Sequence, residues 1–284
     1  MIKRIRCILF CLLPLIITLV LQILVSIPVC GVTVITALLK NYNHESAGSK
    51  TFNDLLSLWS SSSFIIWVSM LYAIAALILF GFWYYKKLAA DQELVPVKYA
   101  FNIQIISSLF LLAAGLQYVV QYLMSFIGVV RPDWMQSYAD LSESAGLGSM
   151  SPLTLVYACI IAPVSEELIF RGVTLGYAKK SLSVTAAIVL QAVLFGVFHM
   201  NIIQGIYAAF LGLFLGYLFE AGGSIAVAML FHAFFNLCGS FFSPYMYYGI
   251  DQPFFFMLWL TVGVLLTYAG IFLFQHGTAV RDMK

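Results

Sequence analysis

Charge is what this sequence has least of. Only 9% of its 284 residues are Asp, Glu, Lys or Arg, against about 25% in an ordinary soluble domain, and its mean hydropathy is +0.98. That scarcity excludes a soluble globular chain. A net charge of +2, with the basic residues gathered at the ends of apolar stretches, gives no footing for a nucleic-acid partner. Paired cysteines are lacking as well. Cys7, Cys11, Cys30, Cys159 and Cys238 are odd in number, form no C-x-x-C and fall in apolar runs, which excludes a disulfide framework and a thiolate zinc site and leaves them as packing residues. Internal repeats and low-complexity tracts are also missing.

Present instead are apolar stretches of about 20 residues, each long enough to cross ~30 Å of hydrocarbon. The expected fold is all-α: a polytopic transmembrane helix bundle of about eight spans, at 7–38, 64–85, 101–128, 151–177, 182–199, 203–220, 224–242 and 254–274. The basic N-terminal MIKRIR resembles a signal peptide, but the apolar run continues to Leu39 without a small-residue cleavage site and reads as a retained first span. That span is too long for one straight crossing and contains Pro14, Pro28 and Gly31, so tilt, a kink or a terminal surface helix are open alternatives. The chain divides into an N-terminal region at 1–150, a four-span core at 151–242, and a last span with its tail at 243–284.

Orientation follows from lysine and arginine. With the N-terminus inside, the cytoplasmic segments hold Lys3, Arg4, Arg6, Lys86, Lys87, Lys98, Lys179, Lys180, Arg281 and Lys284, whereas the outer segments hold only Lys40, Lys50 and Arg131. Both termini are therefore expected in the cytoplasm. The outer loops Lys40–Ser63 and Arg131–Met150 read as solvated connectors, the second with an interfacial helix around Trp134 to Leu141.

Three charges interrupt the fourth span, in the run VSEELIFRG. A charge within the bilayer is expensive, and when retained it is usually paired or functional. Helical spacing stacks Glu167 over Arg171 as an i,i+4 pair and leaves Glu166 facing elsewhere. His199 ends the fifth span, and His232 and Asn236, four apart, share one face of the seventh. A carboxylate, two imidazoles and a carboxamide suffice for hydrolysis: the carboxylate takes a proton from water, one histidine orients that water, and an imidazole with an amide N–H holds the oxyanion. An interfacial salt bridge is the plainer alternative for the charged triplet.

The pattern E-E-x-x-x-R (Glu166, Glu167, Arg171), F-x-x-x-H (Phe195, His199) and H-x-x-x-N (His232, Asn236) resembles the CAAX-protease and bacteriocin-processing family, also called the abortive-infection family, of intramembrane glutamate-type peptidases. The likeness covers about 150–240. It implies that Glu166 is the general base, that His199 positions water, that His232 and Asn236 form the oxyanion hole, and that Glu167 and Arg171 support them. It also implies no cofactor, a membrane-associated peptide or protein as substrate, and the lipid bilayer as surroundings. The compact chain looks bacterial, which suggests a plasma-membrane location and a small peptide as substrate.

Other chemistries remain to be weighed. Glu166, His199 and His232 would also make a three-ligand zinc site. No H-E-x-x-H or G-x-G-D motif is present. Ser224 follows two glycines and reads as a turn residue, and Cys159 has no base with which to act as a nucleophile. A non-catalytic immunity factor or regulator using the polar cluster as helix–helix glue is the alternative from another class; a proton-coupled transporter relaying through Glu166 is a third.

Overall fold

The structure is a computed structural model that describes residues 2–43, 47–144, 151–242, 249 and 252–283. Among these residues the secondary structure is helical throughout, as the polytopic all-α expectation requires. The long elements are α1 (Ile2–Asn41), α2 (Ala47–Trp59), α3 (Ser62–Lys87), a short α4 (Ala89–Gln92), α5 (Ile103–Val130), α6 (Pro132–Ser144), α7 (Pro152–Ala178), α8 (Val184–Phe198), α9 (Ile202–Gly222), α10 (Ile225–Ser240) and α11 (Pro253–Asp282).

Six of these, α1, α3, α5, α7, α9 and α11, are long and apolar enough to cross a membrane; α8 and α10 are shorter apolar helices. The eight expected spans thus resolve into six of full length and two that fall short. At 15 residues, α8 rises only about 22 Å; one side of it is buried at Ala187, Gln191 and Phe195, and Val189, Val193 and Val197 stay exposed. Five of these helices start on a side chain that accepts from an otherwise unpaired backbone N–H: Ser61 for α3, Asn102 for α5, Ser151 for α7, Ser183 for α8 and Asn201 for α9.

α1 is one helix of 40 residues running through both Pro14 and Pro28. The outer loop 40–63 is more than a connector, because α2 folds within it. Thr51 and Leu55, one turn apart, are buried; Asn41 donates to Asp54 at 3.0 Å and Trp59 to the Thr33 hydroxyl at 2.9 Å. The expected interfacial helix exists as α6, wider than foreseen; positions 145–150 of that loop lie outside the described residues.

Two features set the height of the core. Close approach of α8 and α9 depends on glycine: a Cβ at Gly196 would sit 2.5 Å from the Gly205 carbonyl oxygen, and one at Gly212 would sit 2.9 Å from the Ala192 Cα. Those contacts place α9's backbone against the charged stretch of α7. Beneath α10, the 88–101 segment forms a floor. The backbone N–H groups of Leu94 and Val95 both donate to the Gly223 carbonyl at 3.0 Å, and the Glu93 carboxylate accepts from the Ile225 N–H at 3.2 Å and from the Tyr84 hydroxyl at 2.6 Å. Glu93 thereby occupies the α10 N-terminus, where its charge complements the helix dipole.

Candidate active site

α7 is not a regular helix where it carries the charges. Widened π turns occupy Tyr157–Ile161 and Leu168–Leu175, on either side of Glu166 and Glu167, and a third lies at Cys238–Phe242 just beyond Asn236. Such turns shift the hydrogen-bond ladder and leave carbonyls short of their usual donors. Buried side chains supply the replacement. Asn236 donates to Ala158 O at 2.7 Å, Gln92 to Gly172 O at 2.9 Å, Gln117 to Phe235 O at 2.6 Å and Thr174 to Ile169 O at 2.9 Å. Distortion around the acids is therefore locked in place from two other helices, α4 and α10, and α5 in turn holds α10.

Glu167 and Arg171 form the expected pair, Nη1 to Oε1 at 3.0 Å, with both side chains fully buried. The pair is not closed on itself. The same Glu167 Oε1 lies 2.8 Å from His232 Nδ1, and the other face of that ring presents Nε2 at 3.8 Å from Glu166 Oε2. A carboxylate held by a guanidinium can only accept, so the proton of this bond resides on Nδ1. His232 thus bridges the two acids, and its Nε2 is fixed toward Glu166.

Phe195 is the apolar centre of the cluster. The Arg171 guanidinium lies 4.4 Å above its ring, while His199, His232 and Phe170 pack against it with ring centroids 4.9, 5.9 and 5.0 Å away. Arg171 Nη2 also reaches the Gly212 carbonyl at 3.4 Å, which Gln191 shares at 2.8 Å. A carboxylate, a ring face and a carbonyl thus replace part of the cation's water, while Arg171 Nε and Glu167 Oε2 find no hydrogen-bond partner among the described residues.

The remaining expected residues are placed as follows. His199 caps the C-terminal end of α8 with Nδ1 2.8 Å from Phe195 O, and Met200 after it adopts φ 52°, a left-handed conformation uncommon for a side-chain-bearing residue. Asn236 uses one of its two N–H groups on Ala158 and keeps the other. Glu166 differs from its neighbour: 15% of its side chain is accessible, against none of Glu167. Gln191 and the packing role of Phe195 escaped sequence reading, since an isolated Gln in an apolar run carries no spacing signal. For the zinc alternative, no group of three or more His, Cys, Asp and Glu side chains among the described residues is arranged to hold a metal ion.

Residues 148–238 match the family model described as type II CAAX prenyl endopeptidase Rce1-like. No curated protein and no solved structure matches the chain. The matched segment contains Glu166, Glu167, Arg171, His199, His232 and Asn236, that is, every residue of the cluster that the three motifs singled out. Residues 148–238 of this multi-span chain are therefore similar to the Rce1-like CAAX-type endopeptidases.

Proposed function

We propose that the protein hydrolyses a peptide bond of a membrane-associated chain by a glutamate-activated water. The observation that carries this reading is the His232 bridge, with Nδ1 at 2.8 Å from Glu167 and Nε2 at 3.8 Å from Glu166. Glu166, the accessible member of the two acids, takes a proton from water as the water oxygen bonds to the scissile carbonyl carbon. His199 orients that water. The resulting oxyanion accepts from His232 and from the free N–H of Asn236. Because Nδ1–H is engaged with Glu167, donation through Nε2 requires a proton on both ring nitrogens. Collapse of the tetrahedral intermediate breaks the C–N bond, and Glu166 returns its proton to the departing amine. Glu167 and Arg171 hold the histidine rather than touch the substrate.

A scaffold reading draws on the same bonds, since Asn236 ties α10 to α7 and Arg171 ties α7 to α9. Glu166→Gln separates the two. The peptidase reading predicts that a precursor accumulates uncleaved in membranes containing normal amounts of the variant, as read by mass spectrometry of the membrane peptides. An unchanged peptide profile would refute it.

A further inference from the structure

Burial along α7 is asymmetric about Glu166. From Glu167 through Gly176 every residue is buried, whereas Tyr157, Ala158, Ile161 and Val164, on the other side of it, are half-open. Two of the helices packed around that stretch, α9 and α10, repeat the division, whereas α8 exposes Val184 and Val189. Toward the lysine-bearing end, Leu211, Leu215 and Gly216 of α9 and Val227 and Ala228 of α10 are buried. Toward the opposite end, His199, Asn201 and Tyr207 are half-open.

The closed end is also sealed from below. Val95 packs against Gly223, where an added Cβ would meet its Cγ2 at 3.0 Å, and Gln92 is buried against Gly172. At the open end, Tyr138 of α6 meets Tyr207 edge-on with ring centroids 6.1 Å apart. The loop helix α6 therefore borders the mouth of the site.

The ends have a sidedness. Lys86, Lys87, Lys98, Lys179, Lys180 and Arg281 lie at the closed end, and Lys40, Lys50 and Arg131 at the open one; the positive-inside rule puts the closed end in the cytoplasm. We infer that the site takes its substrate from the non-cytoplasmic side: a peptide, or the outer end of a membrane-anchored chain, that enters beside α6 between α7 and α9. This rests on the proposed peptidase function for its meaning but not for its test.

Single cysteines at Tyr157 and Tyr207 mark the mouth, Ile161→Cys is a further variant on the same side, and Lys179→Cys marks the closed end. Sealed right-side-out and inside-out vesicles are treated with a membrane-impermeant methanethiosulfonate, with the unsubstituted chain as background. Labelling at least ten-fold faster from outside for the mouth positions, and from inside for Lys179→Cys, is expected. Faster labelling from inside, equal labelling from both sides, or protection of all three mouth positions from either side would overturn the inference. Because labelling needs no cleavage, a catalytically dead protein with an outward mouth would sink the peptidase reading alone.

Discussion

The two halves of α7 differ more than their similar hydropathy suggests. Its inner half, Glu167–Gly176, is wholly buried and spends its polar atoms on structure: the Glu167–Arg171 pair at 3.0 Å, the Gly172 carbonyl on Gln92, and the Ile169 carbonyl on Thr174. The outer half mixes buried residues such as Cys159, Ala162 and Ser165 with half-open ones such as Tyr157, Ile161 and Val164. Glu166 and Glu167 stand on either side of that boundary. Their difference teaches that adjacency in sequence is no guide to role: one carboxylate is fixed by a guanidinium and an imidazole, and the other keeps 15% of its surface accessible.

Replacing the bridge between the halves gives the largest expected effect. His232→Ala should lower cleavage by about 10² to 10³, the range found when an oxyanion donor is removed, as measured on a membrane-embedded reporter peptide. A variant cleaving within about three-fold of the parent would mean that the 3.8 Å approach to Glu166 is incidental. Next comes the inner half itself. Arg171→Met strands a buried carboxylate and should cost ~3–5 kcal/mol of stability, while Glu167→Gln with Arg171→Met should recover most of it. Thermal midpoints in one detergent read both, and equal losses for the single and double variants would break the pairing argument.

A smaller effect is expected at the floor. Gln92→Leu removes the donor to Gly172 O and should cost about 1–3 kcal/mol, the penalty for an unsatisfied buried carbonyl, in the same thermal assay. No loss would mean that the π turn at 168–175 satisfies itself. The smallest effect is expected from chelation. A metal-free glutamate mechanism leaves cleavage unchanged by a zinc chelator, whereas loss on chelation and recovery on adding zinc would replace it.

The helical fold was legible because composition and apolar run length report directly on a bilayer. Glu167–Arg171 was legible because i,i+4 spacing survives even through the widened turn at 168–175. What spacing did not disclose is the third partner. His232 lies 65 residues from Glu167, and only packing of α10 against α7 brings them together. The π turns were equally hidden, since no residue pattern in YACII or LIFRGVTL marks them; their donors Asn236 and Gln92 come from other helices. α2 went unread because its buried face consists of only Thr51 and Leu55 in a polar stretch.

The division of labour between the two acids is the central claim, and one paired measurement addresses it. Glu166→Gln and Glu167→Gln are purified alongside the parent, and the cleavage rate and thermal midpoint of each are recorded in the same preparation. The account predicts that Glu166→Gln loses cleavage by about 10³ with the parent's midpoint, while Glu167→Gln lowers the midpoint. Retained cleavage in Glu166→Gln, or a midpoint depressed as far as that of Glu167→Gln, would contradict it.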